Sequence, residues 1–204
     1  MIAIVDYGVG NLHSVRSAFE SVADDVVLTS LPDILEHADR LVLPGVGTFA
    51  AGAQNLESSG LGEAIRAHVL QKGQPLLGIC LGMQLLATSG EEDGDYAGLG
   101  LVPCTVQPLS APSDIRLPHI GWNDIDITGA CPVLDGLGRE PTFYFVHGYQ
   151  LIPEDPSVIV ATVDYSGPVA AAVMAGPVIA TQFHPEKSQQ LGLKLIENFV
   201  DWTP

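Results

Sequence analysis

Short apolar runs alternate with amphipathic ones along the first half of the chain. Ile2–Val5 predicts a buried strand, and Asn11 is a candidate N-cap for the helix that follows. The apolar residues that recur on one face of this helix are Leu12, Val15, Phe19 and Val22. Further strands are predicted at Val26–Thr29, 40–43 and 76–79, and a further helix at 61–71. This alternation predicts an α/β fold with a mainly parallel sheet and helices on both faces.

The pattern changes near residue 102 to closely spaced extended segments. These segments are 102–108, 124–127, 142–149, 158–165, 169–174 and 178–182. Their spacing predicts an antiparallel or mixed extension of the sheet. A last helix is predicted at Gln189–Asp201, because its apolar residues form one stripe that can pack on the sheet. Since we find no repeat or linker, we expect one domain over residues 1–204.

The charge balance is strongly acidic. The chain has 8 Lys and Arg residues against 24 Asp and Glu residues, which gives a formal net charge of -16 at pH 7. Basic residues do not cluster in the sequence, and an acidic surface repels nucleic acid and anionic membranes. The acidic excess favours solubility, or a basic partner that it attracts, and it identifies no mechanism.

The three cysteines form no CxxC pair, so the sequence predicts neither a disulfide framework nor a zinc site. We interpret Cys104 and Cys131 as buried structural cysteines. The longest run without polar side chains, 167–180, contains glycine and proline and is shorter than the roughly 20 residues that span a bilayer. We therefore expect a cytoplasmic protein that binds no membrane and no nucleic acid and needs no metal or cofactor.

Cys80 lies where an apolar strand pattern gives way to a helical one, and Gly78 and Gly82 flank it in a G-x-C-x-G arrangement. A strand-to-helix elbow of this kind holds a nucleophile in a strained, exposed turn. The helix N-terminus favours a thiolate, and the Leu81 N–H can face an oxyanion. The sequence therefore predicts Cys80 as a nucleophile.

His184 and Glu186 lie two residues apart, where the last predicted strand gives way to the final helix. In extended chain such residues share a face, about 6 to 7 Å apart along the backbone. The imidazole can accept the thiol proton and return it to a leaving amine, while the carboxylate orients the ring. By contrast, we interpret His119 and His147 as structural or interface groups, since neither has an acidic residue two positions on.

Two segments resemble the hallmarks of the class I glutamine amidotransferase family. They are G-I-C-L-G-M-Q at 78–84 and Q-F-H-P-E at 182–186, and the resemblance spans nearly the whole chain. Three further segments resemble the glutaminase subunits of imidazole glycerol phosphate synthases within that family. These are D-Y-G-V-G-N at 6–11, P-H-I-G-W-N at 118–123 and Y-F-V-H at 144–147.

The resemblance implies a flavodoxin-like sheet and a catalytic set in which Cys80 is the nucleophile, His184 the general base and acid, and Glu186 the residue that orients His184. It also implies an oxyanion loop, which P-G-V-G at 44–47 matches. The residues expected to bind the oxyanion or the substrate glutamine are Gly45, Val46, Gly47, Leu81, Gln84, Gly148 and Tyr149. The sequence departs from the family at Gly148, where a serine or threonine is expected, so a backbone contact would survive there and a hydroxyl contact would not.

The resemblance further implies a partner, because a glutaminase domain of this length leaves no room for a domain that uses the ammonia. That partner would be a cyclase subunit with a (β/α)8 barrel, which forms a heterodimer with the glutaminase in histidine biosynthesis. Ammonia reacts only when unprotonated, so a dry passage should join the two sites. The residues expected at the interface, or in coupling the partner to the site, are Trp122, Asn123, Tyr144 and Lys187.

Two alternatives remain open at this point. The chain could serve anthranilate, aminodeoxychorismate or pyridoxal phosphate synthesis, whose glutaminase subunits share the nucleophile, although the segment at 118–123 argues against them. It could also be a regulatory or scaffold protein that has kept the fold without catalysis. The intact residues Cys80, His184 and Glu186 argue against that reading.

Overall fold

A nine-stranded sheet forms the centre of the molecule in the computed structural model, which describes residues 1–110, 112 and 115–204. The strands are β1 (Ile2–Val5), β2 (Val26–Thr29), β3 (Arg40–Gly45), β4 (Leu76–Cys80), β5 (Ser89–Gly90), β6 (Tyr96–Ala97), β7 (Cys104–Pro108), β8 (His119–Ile127), β9 (Thr142–His147), β10 (Tyr149–Pro153), β11 (Ile159–Asp164), β12 (Pro168–Ala175) and β13 (Val178–Thr181). The helices are α1 (Leu12–Glu20), α2 (Pro32–Glu36), α3 (Phe49–Ser58), α4 (Leu61–Leu70), α5 (Leu81–Leu85) and α6 (Gln189–Asp201).

The large sheet has the order β2-β1-β3-β4-β13-β12-β11-β8-β9. Pairing is parallel from β2 through β13 and antiparallel from β13 through β9. A second, four-stranded sheet has the order β10-β7-β5-β6. The parallel half and its antiparallel extension therefore match the architecture that the sequence predicts.

Helices cover both faces of the parallel half, which explains why its strands are apolar throughout. Along β1, Ile2 and Ile4 belong to one buried cluster while Ala3 and Val5 belong to the other. Successive strand residues point to opposite faces, so a strand buried on both faces needs apolar residues at every position. Helices α1 and α6 contribute to the first cluster, and α2 to α5 contribute to the second.

The registers of three neighbouring parallel strands bring the functional segments to one edge of the sheet. Gly45 at the end of β3 pairs with Cys80 at the end of β4, and Thr181 at the end of β13 pairs with Ile79. The carboxyl ends of β3, β4 and β13 therefore meet, and this edge is where open α/β sheets place their sites.

The main departures from the predicted elements are local. Segment 142–149 belongs to two strands, because β9 ends before Gly148 and β10 begins after it. The polypeptide passes at this glycine from the large sheet to the small one. Helices α2 and α3 and the short strands β5 and β6 have no counterpart among the predicted elements. Asn11 does precede α1, but its side chain makes no capping hydrogen bond. Among the described residues, no helix combines the length and the apolar content that crossing a membrane would require.

Candidate active site

Cys80 occupies a strained turn between β4 and α5, with φ 54° and ψ -109°. A side chain at Gly82 would collide with backbone, and one at Gly78 would be in unusually tight contact with it. A Cβ on Gly82 would lie 1.7 Å from the Leu43 carbonyl oxygen, and one on Gly78 would lie 3.0 Å from the Gly82 oxygen. The glycines thus let the elbow pack closely against β3, and the strained backbone holds the thiol in place.

His184 and Glu186 form a buried pair beside this elbow. The Nδ1 atom of His184 lies 2.7 Å from Oε1 of Glu186. The sequence reasoning placed the two residues on an extended segment, and that part was wrong, because Pro185–Lys187 is a turn of 3-10 helix. The pairing survives because the turn brings the carboxylate within hydrogen-bond distance of Nδ1. Within the described residues, His184 Nε2 and Glu186 Oε2 have no hydrogen-bond partner.

Three influences set the charge of His184. Burial lowers the pKa of the imidazole, but interactions with Cys80 and with Glu186 raise it by more than burial lowers it. The net effect is a pKa raised to about 9. The ring therefore carries a proton at neutral pH, next to the thiol and the carboxylate. Such an imidazolium favours a thiolate at Cys80 and has a proton ready for a leaving group.

A pocket of about 310 Å³ opens at the elbow. The predicted site residues that line it are Val46, Gly47, Cys80, Leu81, Gln84, Gly148, Tyr149 and Lys187. His184 and Glu186 are not among its lining residues; both side chains are buried, and His184 interacts with Cys80. The structure thus brings Cys80 and most of the predicted substrate contacts to one cavity, while the predicted base His184 and its partner Glu186 do not line it.

The predicted oxyanion loop runs along one side of this pocket. Gly45 is packed so tightly that a Cβ there would lie 2.1 Å from the Tyr7 hydroxyl oxygen, and Gly45 itself does not line the cavity. Gly47 has φ 113°, a backbone conformation that side chains disfavour, and Val46 is 38% exposed. The loop therefore combines a fixed base at Gly45 with an accessible tip at Val46 and Gly47.

Gln84 is buried and its side-chain amide is held on two sides. Its Nε2 donates to Gln182 Oε1 at 3.0 Å and to the Tyr149 carbonyl at 3.4 Å. Gln182 in turn donates from Nε2 to the Sγ atom of Cys80 at 3.7 Å. Sequence reasoning assigned no role to Gln182, although the residue stands in the Q-F-H-P-E segment. In the structure Gln182 links Cys80 to Gln84.

Three further residues line the pocket that sequence reasoning did not select: Glu92, Val146 and His147. Glu92 accepts a hydrogen bond from the Phe49 N–H at 2.6 Å, and burial raises the pKa of its carboxyl. His147 ends the Y-F-V-H segment, so its position in that motif was an available signal. No sequence motif contains Glu92, which reaches the site from a loop, so the sequence gives no signal for it.

The structure leaves room for a side chain at Gly148. A Cβ there would meet Pro118 Cβ at 3.7 Å, an ordinary van der Waals distance. Glycine at this position is therefore not required by packing, and the departure from the family pattern alters the chemistry of the pocket wall more than its shape.

The residues expected at an interface lie outside the pocket, with the exception of Lys187. Trp122 is 48% exposed and faces Tyr144 across β8 and β9, with ring centroids 5.9 Å apart. The Lys187 ammonium lies 5.7 Å from the centre of the Tyr144 ring. Tyr144 also contacts the segment that carries His184, because its carbonyl accepts a hydrogen bond from the His184 N–H at 2.9 Å. Asn123 points inward and contacts His119.

Comparisons with known proteins agree with this geometry. The family described as glutamine amidotransferase class-I matches residues 3–202. The imidazole glycerol phosphate synthase subunit HisH of Syntrophotalea carbinolica is 47% identical over 98% of this chain and 100% of its own length. The subunit of the same name from Ruegeria pomeroyi is 46% identical over the full length of both chains.

Solved structures share the fold at low sequence identity. The structure of PurLQS from Thermotoga maritima matches with a TM-score of 0.78 at 18% identity, covering 98% of this chain and 97% of that chain. A crystal structure of a glutamine amidotransferase matches with a TM-score of 0.77 at 19% identity over the same shares. The predicted α/β fold and the predicted family are thereby confirmed. The chain belongs to the class-I glutamine amidotransferase family.

Proposed function

We propose that this chain is the glutaminase subunit of an imidazole glycerol phosphate synthase. It would act in the cytoplasm as one glutaminase domain over residues 1–204, hydrolyse glutamine to glutamate and ammonia, and pass the ammonia to a cyclase subunit with a (β/α)8 barrel. The names of its relatives support this synthase over the others considered from sequence. The observation that carries the chemistry is the strained Cys80 together with the protonated imidazole of His184. Nδ1 of this imidazole lies 2.7 Å from the buried carboxylate of Glu186.

The first step is attack of the Cys80 thiolate on the carboxamide carbon of glutamine. Negative charge then develops on the carboxamide oxygen. The Leu81 N–H stands at the free N-terminus of α5, and the accessible tip of the loop at Val46 and Gly47 lies in the same pocket. In comparable enzymes each such donor contributes about 3 kcal/mol of transition-state stabilisation.

The second step is departure of ammonia. His184 gives its proton to the leaving nitrogen, the carbon–nitrogen bond breaks, and a thioester remains on Cys80. The neutral imidazole then takes a proton from water, which attacks the thioester and releases glutamate. Glu186 keeps the ring in one tautomer through both steps, because its carboxylate accepts from Nδ1 and leaves Nε2 for the reacting groups.

The exposed face around Trp122 supports the proposed docking of the cyclase. Aromatic residues are enriched at the centres of protein interfaces, and here the exposed Trp122 contacts Tyr144, which is hydrogen-bonded to His184 through the backbone. A partner bound on this face would touch a residue one hydrogen bond away from the catalytic base. Lys187, which lines the pocket and lies over the Tyr144 ring, would join the two regions.

The variant Cys80→Ala tests the proposal in the complex with the cyclase subunit. We expect glutamine-dependent formation of imidazole glycerol phosphate to be lost, while synthesis from added ammonium salt continues at the wild-type rate. Cys131→Ala is the matched control, since Cys131 is also buried but lies away from the pocket, and it should keep both activities. Loss of ammonium-dependent synthesis, or survival of the glutamine-dependent reaction, would contradict the proposed roles.

A further inference from the structure

Two buried histidines outside the catalytic set face each other across β8 and β9. His119 and His147 are opposite residues in the antiparallel pair, and they are 2% and 6% exposed. The Nδ1 atom of His119 lies 3.0 Å from Nε2 of His147, so the two rings share a hydrogen bond. No step proposed above uses either ring.

Asn123, His119, His147 and the Tyr149 carbonyl form a hydrogen-bond chain, and the bonds at its two ends fix its direction. His147 Nδ1 lies 2.8 Å from the Tyr149 carbonyl oxygen, which can only accept, so Nδ1 carries the proton. In a neutral ring Nε2 must then accept, and His119 must donate from Nδ1. His119 Nε2 accepts in turn from the amide nitrogen of Asn123 at 3.1 Å. Every hydrogen bond therefore points from Asn123 toward Tyr149.

The rings are held in the neutral state that this direction requires. Burial lowers the pKa of His119 to about 4, with a further contribution from His147. Burial likewise lowers the pKa of His147 to about 4, and the hydrogen bond to Tyr149 only partly offsets this effect. A proton added to His147 Nε2 would face the proton on His119 Nδ1, so the chain has one stable arrangement at neutral pH.

One end of the chain lies at the pocket. The Tyr149 carbonyl oxygen that accepts from His147 also lies 3.4 Å from Nε2 of Gln84. His147, Tyr149 and Gln84 all line the cavity next to Cys80. The chain thus fixes an oxygen that, together with Gln182, sets how the Gln84 amide faces the pocket.

The other end of the chain lies on the strand that carries Trp122. Asn123 follows Trp122 directly, and its partner His119 is stacked between Tyr165 and Phe145, with ring centroids 3.9 and 4.7 Å away. Because stacking on both faces prevents the imidazole from swinging aside, a shift of β8 must move His119 with it. The chain is therefore a mechanical link between the exposed face of β8 and the pocket.

We propose that Asn123, His119 and His147 form a directed positioning chain, which sets the Tyr149 carbonyl and the Gln84 amide for glutamine and connects them to the Trp122 face. The role in glutamine binding rests on the proposed function, whereas the direction of the chain does not. The three are positioning residues, since they act on the pocket through Tyr149.

The direction is tested by ¹⁵N NMR of histidine-labelled protein at pH 7, with His119→Phe and His147→Phe used to assign the signals. We expect both rings to be neutral, with a protonated Nδ1 and an unprotonated Nε2. A proton on Nε2 of either ring, or a charged ring, would overturn the proposed direction of the hydrogen bonds. This experiment needs no activity, so it decides the inference even if the proposed function fails.

The positioning role is tested by glutaminase kinetics of His119→Phe and His119→Asn in the complex with the cyclase subunit. Phenylalanine keeps the stacking but cannot donate to His147, so we expect KM for glutamine to rise about tenfold, as a loss of about 1.4 kcal/mol produces, with kcat changed less than about threefold. Asparagine loses the stacking but places an amide N–H near the position of Nδ1, so we expect lower thermal stability with KM closer to wild type.

A purely structural role predicts the opposite order, in which kinetic damage follows loss of stability. The positioning role is overturned if His119→Phe keeps the wild-type KM, or if both variants change kcat and KM in proportion to their stability. A wild-type complex without glutaminase activity would overturn the proposed function and the positioning role together, and the NMR result would still decide the hydrogen-bond direction.

Discussion

His184 Nδ1 and Glu186 Oε1 lie 2.7 Å apart across a single 3-10 turn, and both side chains are almost fully buried. A carboxylate removed from water in this way interacts strongly with the imidazole, because solvent does not screen the interaction. The pair therefore holds the imidazole orientation and its charge at the same time. Removing the carboxylate should disturb both.

Glu186→Gln is expected to lower kcat by up to about 10⁴-fold, the loss found when the orienting acid of a comparable triad becomes an amide. The amide has no charge to stabilise the imidazolium, so the pKa of His184 should fall, and the amide can also stabilise the wrong tautomer. Steady-state kinetics and the pH profile of kcat measure these effects. Glu197→Gln, on the exposed face of α6, is the matched control and should be silent. Near-wild-type kcat in Glu186→Gln would contradict the role.

Gly82→Ala is expected to destabilise the fold by more than the roughly 1 to 3 kcal/mol typical of an overpacked core. The new Cβ would stand 1.7 Å from the Leu43 carbonyl oxygen, and backbone has little freedom to move there. Chemical denaturation gives the free energy of unfolding. Gly148→Ala is the control, because its Cβ has an ordinary contact at 3.7 Å. Equal stability of the two variants would show that the elbow tolerates a side chain.

Gly148→Ser is expected to fold like the wild type and to lower KM for glutamine by up to about tenfold, since a new hydrogen bond contributes roughly 0.5 to 1.5 kcal/mol. The expectation assumes that the hydroxyl reaches the substrate from the pocket wall. Gly148→Ala separates the hydroxyl from the added Cβ and should leave KM unchanged. An equal change in KM for both variants would assign the effect to bulk.

Stability should fall as the pH rises through the alkaline range. The folded-state pKa of His184 is raised to about 9, above the value near 6.5 of an unperturbed histidine. The folded protein thus binds more protons than the unfolded chain between these values, so this contribution is complete below about pH 6.5 and is lost through about pH 9. Urea denaturation across this range measures it. The slope should flatten in Cys80→Ala, which removes one of the groups that raise the pKa, and an unchanged slope would refute this cause.

The structure brings most of the predicted site residues together, in a geometry that the sequence does not predict. Gly78 and Gly82 around Cys80 are a local signal, because the elbow needs both glycines within two residues of the thiol. The pairing of His184 with Glu186 is predictable from their spacing, but the turn that achieves it is not. Gln182 gains its role only through the register of β13 against β4, which no local pattern encodes.

The second half of the fold is less predictable for a related reason. The sequence pattern predicts one strand over 142–149. Only the strand pairing shows that the polypeptide passes from one sheet to the other at Gly148. Likewise Asn123 alternates with exposed neighbours and was expected at an interface, while its amide is used inside the molecule by His119. Strand partners decide such positions, and partners distant in sequence leave no local trace.

The central position of β13, between β4 and β12, has a consequence for biosynthesis. β13 comes after every other strand that the structure describes, so the position beside β4 stays unfilled until Val178–Thr181 has been synthesised. A nascent chain carries the thiol for most of this time without the imidazole. The site therefore cannot assemble before β13 and the His184 segment that follows it have been synthesised, because β13 completes the parallel part of the sheet.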